Sequence, residues 1–405
     1  MKKMFMTLLF INVTLTGCWD RIEIEDRAVV LAISVDVATE EEMKPESEVS
    51  HIEGTSKIPS GEWLHITAQI AVPGRIPLGP SGGGGGSGGS GEKSVWVLES
   101  VGHTMHDAME NLQQEVADRL FLGHLRVIII SEAYARKGTA AINDYLRRNP
   151  EVRRRAWLAV GQGKAADFMT TAPELERVPA LYLLSMLDHA VDMGKYPDET
   201  IGRFWTKVSA GGIEGNLPYL KIMEEDNVQI AGLAYFKGER MLGVTKPLDI
   251  GSYMGLAGFK NGGYSGYVQL PDDDNMAMFR VTSRRTEVKT RMINGQPHLK
   301  VHVNLEGIIV EKTDERANPI DTEEDLNRLG QDLSVTVTKL YSELIQEMQG
   351  KQCDIFGFGE YFRAKYPRYW NRQVKDKEGW ERAFQHLSVE AAADVNVRRV
   401  GQKAE

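Results

Sequence analysis

The sequence predicts an α+β fold of three domains, with helices packed on mixed or antiparallel sheets. In the first half of the chain, short apolar runs rich in valine and isoleucine indicate strands, for example at residues 28–35 and 127–130. These runs alternate with segments that have the apolar period of helices. From residue 217 the β-like runs are separated by glycine, proline and aspartate clusters, which favours antiparallel strands. A long amphipathic helix is predicted at residues 322–349, in the C-terminal domain.

Residues 1–17 have the layout of a secretory signal peptide. Basic Lys2 and Lys3 precede an apolar run that is too short to span a bilayer as a helix, and Gly17 precedes Cys18. A cysteine at the cleavage point is typical of a bacterial lipoprotein. We therefore expect cleavage between Gly17 and Cys18 and a diacylglyceryl group on the Cys18 thiol. The less favoured alternative is an ordinary secreted protein in which Cys18 is incidental.

Composition excludes several classes of function. The net charge of -9 argues against nucleic acid as a partner and against electrostatic binding of the whole body to anionic head groups. The chain has two cysteines, so acylation of Cys18 leaves Cys353 without an intramolecular partner and predicts a fold without disulfides. A chain of 405 residues is too long for one hydrophobic core.

The N-terminal α+β domain is predicted at residues 18–200. Strands are expected at residues 28–35, 63–72, 127–130 and 156–160, with a helix that Thr104 caps and another near residues 140–148. The glycine-rich stretch 77–91 offers nothing to a core and is expected to be a disordered loop. It resembles a phosphate-binding loop only superficially, because Glu92 separates Gly91 from Lys93.

A small β-rich middle domain is predicted at residues 201–284, and a C-terminal α+β domain at residues 285–405. The β-like runs lie at residues 228–236, 239–244, 264–270, 276–282, 287–292, 298–310 and 387–397. Thr322 is expected to cap the long helix, whose apolar residues recur every three or four positions: Leu326, Leu329, Leu333, Val337, Leu340, Leu344 and Met348. This stripe predicts that the helix lies across the sheet that begins at His298.

No catalytic, metal or cofactor site is predicted. His298 and His302 lie four apart on a strand, which separates them by ~13 Å, too far for one ion. His103 and His106 have no accompanying cysteine or histidine cluster. The arginines at 153–155 could contact a partner carboxylate or phosphate, but an exposed turn is favoured.

The aromatic and glycine-rich segment 354–370 could form a pocket. Packing of its aromatic side chains against the end of the long helix is favoured, with glycines that let the backbone approach closely.

Five segments together resemble the Ger(x)C family, the lipoprotein subunits of spore germinant receptors in endospore-forming bacteria. One of them is the glycine-rich loop before VWV at residues 95–97. The other four are, in order, CWDRIEIEDRAVVLAISVD at residues 18–36, RLFLGHLRV at 119–127, GLAYFK at 232–237 and the segment 353–370. The likeness extends through the whole chain.

The resemblance implies three α+β domains, no enzyme activity and no site residue other than Cys18. It implies a receptor with two integral membrane subunits, one of them transporter-like, on the outer face of the inner membrane of the spore. Two other classes remain open. A solute-binding lipoprotein of an importer should have a two-lobed cleft, and a cell-wall enzyme should have convergent carboxylates or a metal site.

Overall fold

The computed structural model describes residues 27–43, 63–72, 94–173, 176–270, 275–313 and 322–398, and the description below is of these residues. The strands are β1 Arg27–Val37, β2 Leu64–Ala71, β3 Val95–Gly102, β4 Arg119–Phe121, β5 Val127–Ser131, β6 Trp157–Gly161, β7 Asn216–Ile222, β8 Val228–Lys237, β9 Arg240–Val244, β10 Ser265–Gln269, β11 Met276–Ile293, β12 Gln296–Lys312 and β13 Ser388–Arg398. The α-helices of more than three residues are α1 Met105–Gln114, α2 Glu132–Lys137, α3 Ala140–Arg148, α4 Pro179–Asp192, α5 Ile201–Ser209, α6 Asp249–Leu256, α7 Glu323–Gly350, α8 Phe358–Lys365 and α9 Lys377–Gln385.

The first sheet has nine strands in the order β3-β2-β1-β5-β6-β7-β8-β9, with β4 paired to the start of β1. Strands β1, β5, β6 and β7 run parallel to one another, and the others join antiparallel, apart from β4. The middle strands are buried on both faces, which explains why residues 28–35 and 127–130 are almost continuously apolar. The predicted α+β fold is confirmed.

The second sheet has four strands in the order β10-β11-β12-β13, and the long helix α7 packs beside it. Thr322 and Asp325 form the capping box that begins α7, as the sequence predicts for Thr322. At the exposed side of β13, the N–H groups of Ala393 and Val395 donate to the hydroxyls of Thr338 and Ser334 at 3.0 and 2.9 Å. The helix α7 therefore accepts hydrogen bonds from backbone N–H groups at the edge of this sheet, and it also covers apolar side chains.

Two expectations about strands differ from the structure. The runs predicted at 276–282 and 287–292 belong to one strand of 18 residues, since β-bulges at Met278/Phe279 and Val281/Ser283 let the pairing continue. The strands expected in the middle segment 201–284 divide between the two sheets, because β7 pairs with β6 whereas β11 pairs with β12. The division into three domains stays a prediction.

Candidate functional site

The segment that follows α7 lies against the first sheet. It joins the N-terminal half of the protein, which forms the first sheet, to the C-terminal half, which forms the second sheet and α7. The Cys353 thiol donates to the carbonyl oxygen of Phe236 in β8 at 3.1 Å. The N–H of Glu214, just before β7, donates to the carbonyl oxygen of Asp354 at 2.8 Å. We call the residues around these contacts the junction: Gly212, Glu214, Phe236, Lys237, Cys353, Asp354, Gly359, Glu360, Lys377, Trp380 and Glu381.

Asp354 is the most heavily hydrogen-bonded side chain of the junction. Its Oδ1 accepts the N–H groups of Phe356, Gly357 and Phe358 at 3.1, 2.9 and 3.2 Å. Its Oδ2 accepts the N–H of Gly359 at 2.9 Å. Gly357 has a φ of 79°, a conformation that glycine adopts without strain. Burial raises the pKa of Asp354 to about 6, although the donated hydrogen bonds oppose that rise.

Two glycines bring the backbones of the two halves into direct contact. A Cβ added to Gly212 would lie 2.5 Å from the carbonyl carbon of Gly359, a distance that side chains do not tolerate. The N–H of Gly212 donates to Oε1 of Glu360 at 2.8 Å. The interpretation of segment 354–370 as closely packed backbone and aromatic side chains is confirmed: Phe356, Phe358, Phe362 and Trp370 are buried in the core.

Two ion pairs complete the junction. Lys377 Nζ lies 3.0 Å from Oε2 of Glu214, and Lys237 Nζ lies 2.9 Å from Oε2 of Glu381. Burial raises the pKa of Glu214 to about 7, although Lys377 acts in the opposite direction. Both pairs connect a strand or loop of the first sheet to α9, so charge pairing and backbone contact hold the same two parts together.

A second buried polar cluster lies between α5, β7 and α6. Lys207 Nζ lies 2.5 Å from Oε1 of Glu199 and 2.6 Å from Oδ1 of Asn216. It also donates to the hydroxyl of Tyr253 at 3.1 Å. Burial alone would lower the pKa of Lys207, but the Glu199 carboxylate raises it above its ordinary value. This lysine is therefore charged and serves to fix α6 against the first sheet.

The arginines 153–155 form a turn just before β6, and all three are exposed. The exposed turn favoured by the sequence is confirmed. Arg126 lies beside them, since its carbonyl oxygen accepts the N–H of Trp157 at 2.8 Å. A groove of about 680 Å³ opens near this end of the sheet between α1 and α3, with Met105, Met109 and Leu120 among its lining residues.

The histidine pairs do not form a metal centre in the described residues. His302 lies on β12, and its Nε2 contacts a carboxylate oxygen of Asp394 on the neighbouring strand β13 at 2.9 Å. Among residues 27–398 that the structure describes, no group of three or more metal-ligating side chains comes together.

The described part of the chain contains no helix long and apolar enough to span a membrane. Gly17, Cys18 and the glycine-rich stretch 77–91 lie outside the described residues.

The fold and the junction together define a class of protein. It has two α+β parts, each built on its own sheet, and ion pairs and hydrogen bonds of the junction join them. Comparison with protein families then places the chain. Residues 20–222 match the spore germination protein N-terminal domain, and residues 231–401 match the spore germination B3/GerAC-like C-terminal domain. The chain belongs to this Ger(x)C family of spore germination proteins, and like its relatives it is not an enzyme.

Individual relatives support the assignment along the whole chain. Spore germination protein GerQC of Bacillus cereus is 27% identical over 308 residues, which cover 75% of this chain and 82% of that protein. Spore germination protein KC of Bacillus subtilis (strain 168) is 24% identical, with 99% of this chain and 96% of that protein covered. The crystal structure of the GerBC protein shares the fold, with a TM-score of 0.54, 17% identity, and 84% of this chain and 94% of that chain covered.

The junction was only partly visible in the sequence. Its glycines and aromatic residues in segment 354–370 stood out, whereas Glu214, Lys237 and Lys377 carry no local signal. Glu214 and Lys237 lie 140 or more residues before Lys377 along the chain, so only the fold relates them to it, by bringing Lys377 to within 3.0 Å of Glu214.

Proposed function

We propose that the protein is the lipid-anchored subunit of a spore nutrient germinant receptor. It supports germination signalling by contact with two integral membrane subunits, one of them transporter-like, at the outer face of the inner membrane of the spore. The family assignment over both halves of the chain favours this role over that of a solute-binding lipoprotein of an importer.

The observation that supports this proposal best is the position of β1. Only eight residues separate Cys18 from Arg27, where β1 begins. They reach about 30 Å at most, even fully extended. β1 is an inner strand of the nine-stranded sheet, between β2 and β5. A diacylglyceryl group on Cys18 therefore keeps the first sheet close to the head groups, within reach of integral membrane partners.

The junction gives this body the properties of a scaffold. Glu214 is buried and reaches across the two halves, because its N–H donates to the carbonyl oxygen of Asp354 and its Oε2 pairs with Lys377. These polar contacts and the direct approach of the Gly212 and Gly359 backbones hold the two halves in one arrangement. A contact made by either half with a membrane subunit is thereby coupled to the other half.

Lipidation is tested first. Two sixteen-carbon chains bring ~30 methylenes, an upper bound of ~24 kcal/mol at ~0.8 kcal/mol each, which is ample for stable anchoring. The variant Cys18→Ala should leave the detergent phase or remain unprocessed. Unchanged detergent partitioning of this variant would show that Cys18 does not hold the anchor.

The role of the short tether is tested by lengthening it. A flexible insertion of about twenty residues after Arg21 frees the body to move away from the membrane. Germination should slow while folding and detergent partitioning stay unchanged. The same insertion within residues 77–91 is the control and should have little effect. Normal germination with the longer tether would contradict the proposal.

A further inference from the structure

Positive charge is concentrated in one part of an acidic chain. The net charge is -9, yet residues 119–155 contain nine arginine or lysine residues against three carboxylates. The fold gathers many of these at one end of the first sheet, because Arg126 directly precedes β5 and the arginines 153–155 directly precede β6. We call this end the arginine edge: Arg27, Arg119, Arg126, Arg153, Arg154 and Arg155.

Side-chain contacts show that residues of the arginine edge lie close to one another. The Arg27 guanidinium lies over the ring of Phe121, 4.4 Å from its centroid, and His124 lies on the same ring at 5.9 Å. Burial, followed by the positive charges of Arg126 and Arg153, lowers the pKa of His124. Strand pairing places Arg27 beside Arg119. The starts of β1 and β4 and the turn before β6 therefore share one electrostatic environment.

Among the described residues, carboxylates lie close to only some of these arginines. Glu151 lies 3.8 Å from Arg119 and also accepts the N–H of Leu122 at 2.9 Å. Asp144 pairs with Arg148 on α3 at 2.8 Å. Within the part of the chain that the structure describes, no carboxylate comes within 4.0 Å of Arg126 or of the arginines 153–155. These four exposed guanidinium groups are therefore available to an anionic partner.

We infer that the arginine edge rests on anionic lipid head groups of the membrane that holds the anchor. The inference rests on the proposed function, because Arg27 belongs to this edge and only eight residues separate it from Cys18. The anchor therefore attaches at the basic end of the sheet, whereas Val37, at the other end of β1, is ten residues further on. Planar guanidinium groups match phosphate oxygens in bidentate geometry.

The acidic total charge does not oppose this contact. Electrostatic interactions in solution are screened over ~8 Å at physiological ionic strength, so a membrane surface interacts mainly with the charges that face it. The sequence-based expectation that the acidic body does not bind anionic head groups therefore applies only to the faces away from the arginine edge. The arginine edge orients the body on the membrane and leaves those faces to protein partners.

The test measures binding of the mature chain 18–405 with Cys18→Ala, so that no acyl group contributes and every described residue is retained. Co-sedimentation with vesicles of phosphatidylglycerol and phosphatidylcholine in equal parts is compared with vesicles of phosphatidylcholine alone. Binding should require the anionic lipid and should decrease with added salt. Because each arginine contributes a factor of about five near such a surface, Arg153→Gln/Arg154→Gln/Arg155→Gln should reduce partitioning about 100-fold.

The control variant removes three exposed arginines from the C-terminal half, Arg368→Gln/Arg372→Gln/Arg382→Gln, and should bind as the parent does. Absence of binding to anionic vesicles, equal binding to both vesicle types, or equal losses in the two triple variants would overturn the inference. Impaired germination in the edge variant with unchanged vesicle binding would do so too, and would indicate an acidic protein partner. The assay does not depend on acylation, so a failure of the lipid anchor is recognised separately by detergent partitioning.

Discussion

The indole N–H of Trp380 donates to Oδ2 of Asp354 at 2.9 Å, which joins α9 to the turn that follows α7. The same carboxylate accepts four backbone N–H groups of that turn. Trp380 also stacks on Trp370, with 5.6 Å between ring centroids. One buried carboxylate thus fixes the segment through which the C-terminal half contacts the first sheet.

Asp354→Ala should lower the free energy of unfolding by about 3–5 kcal/mol, because five buried N–H donors lose their acceptor. The matched control is Asp376→Ala. Asp376 caps α9 at a solvent-exposed position, where its side chain accepts one N–H, from Gly379 at 2.8 Å. Its loss should cost about 1 kcal/mol. Urea denaturation of both variants measures the difference, and equal costs would show that Asp354 has no special role.

Stability should depend on pH through Glu214. Burial raises its pKa from 4.5 to about 7, so the folded protein binds this proton more tightly than the unfolded chain does. The resulting stabilisation is fully present below about pH 4.5 and is lost as the pH rises through about 7. Glu214→Gln should flatten the profile of unfolding free energy over this window. A variant with the parent's slope would refute the assignment.

The buried lysine of the second cluster allows a double-mutant cycle. Lys207→Met leaves the Glu199 carboxylate buried without its cation, and should destabilise the protein by about 3–5 kcal/mol. Glu199→Gln in the same chain removes that unpaired charge and should recover part of the loss. The four unfolding free energies of the cycle measure the coupling. Strict additivity of the two substitutions would mean that the 2.5 Å contact between them contributes no stability.

Gly212→Ala should loosen the junction, since the new methyl group would lie 2.5 Å from the backbone of Gly359. The two halves must move apart to accommodate it, so hydrogen exchange should accelerate in α9 as well as near residue 212. Gly350→Ala is the control, because a Cβ there meets nothing within 4 Å. An effect of similar size in both variants would mean that backbone proximity is not what the glycine provides.

Local patterns were sufficient to predict most elements of the fold. The spacing of apolar residues predicted both ends of α7 to within one residue, and Thr322 was predicted as its N-cap. Both could be predicted because these signals lie in the helix itself or directly before it. The pairing of strands was not predictable in the same way. β7 to β9 join the first sheet through contacts of β6 with β7, and no feature of residues 216–244 alone identifies that neighbour.

The candidate site shows the same limit. The Arg153–Arg155 run was evident in the sequence, but its relation to Arg27 depends on the parallel alignment of β1, β5 and β6. Likewise, Cys353 was identified as an unpaired thiol, whereas its hydrogen bond to the carbonyl oxygen of Phe236 required the packing of the two halves. Residues separated by a hundred positions become neighbours only through tertiary structure, which local periodicity does not encode.

The central claim, that the protein works by contact with integral membrane subunits, is tested most directly by affinity purification of the tagged chain from mildly cross-linked spore inner membranes. Mass spectrometry of the purified material identifies what is attached. The account predicts that two integral membrane subunits, one of them transporter-like, co-purify with the chain and disappear in the Cys18→Ala variant. Recovery of the chain without either subunit, or with the membrane components of an importer instead, would contradict it.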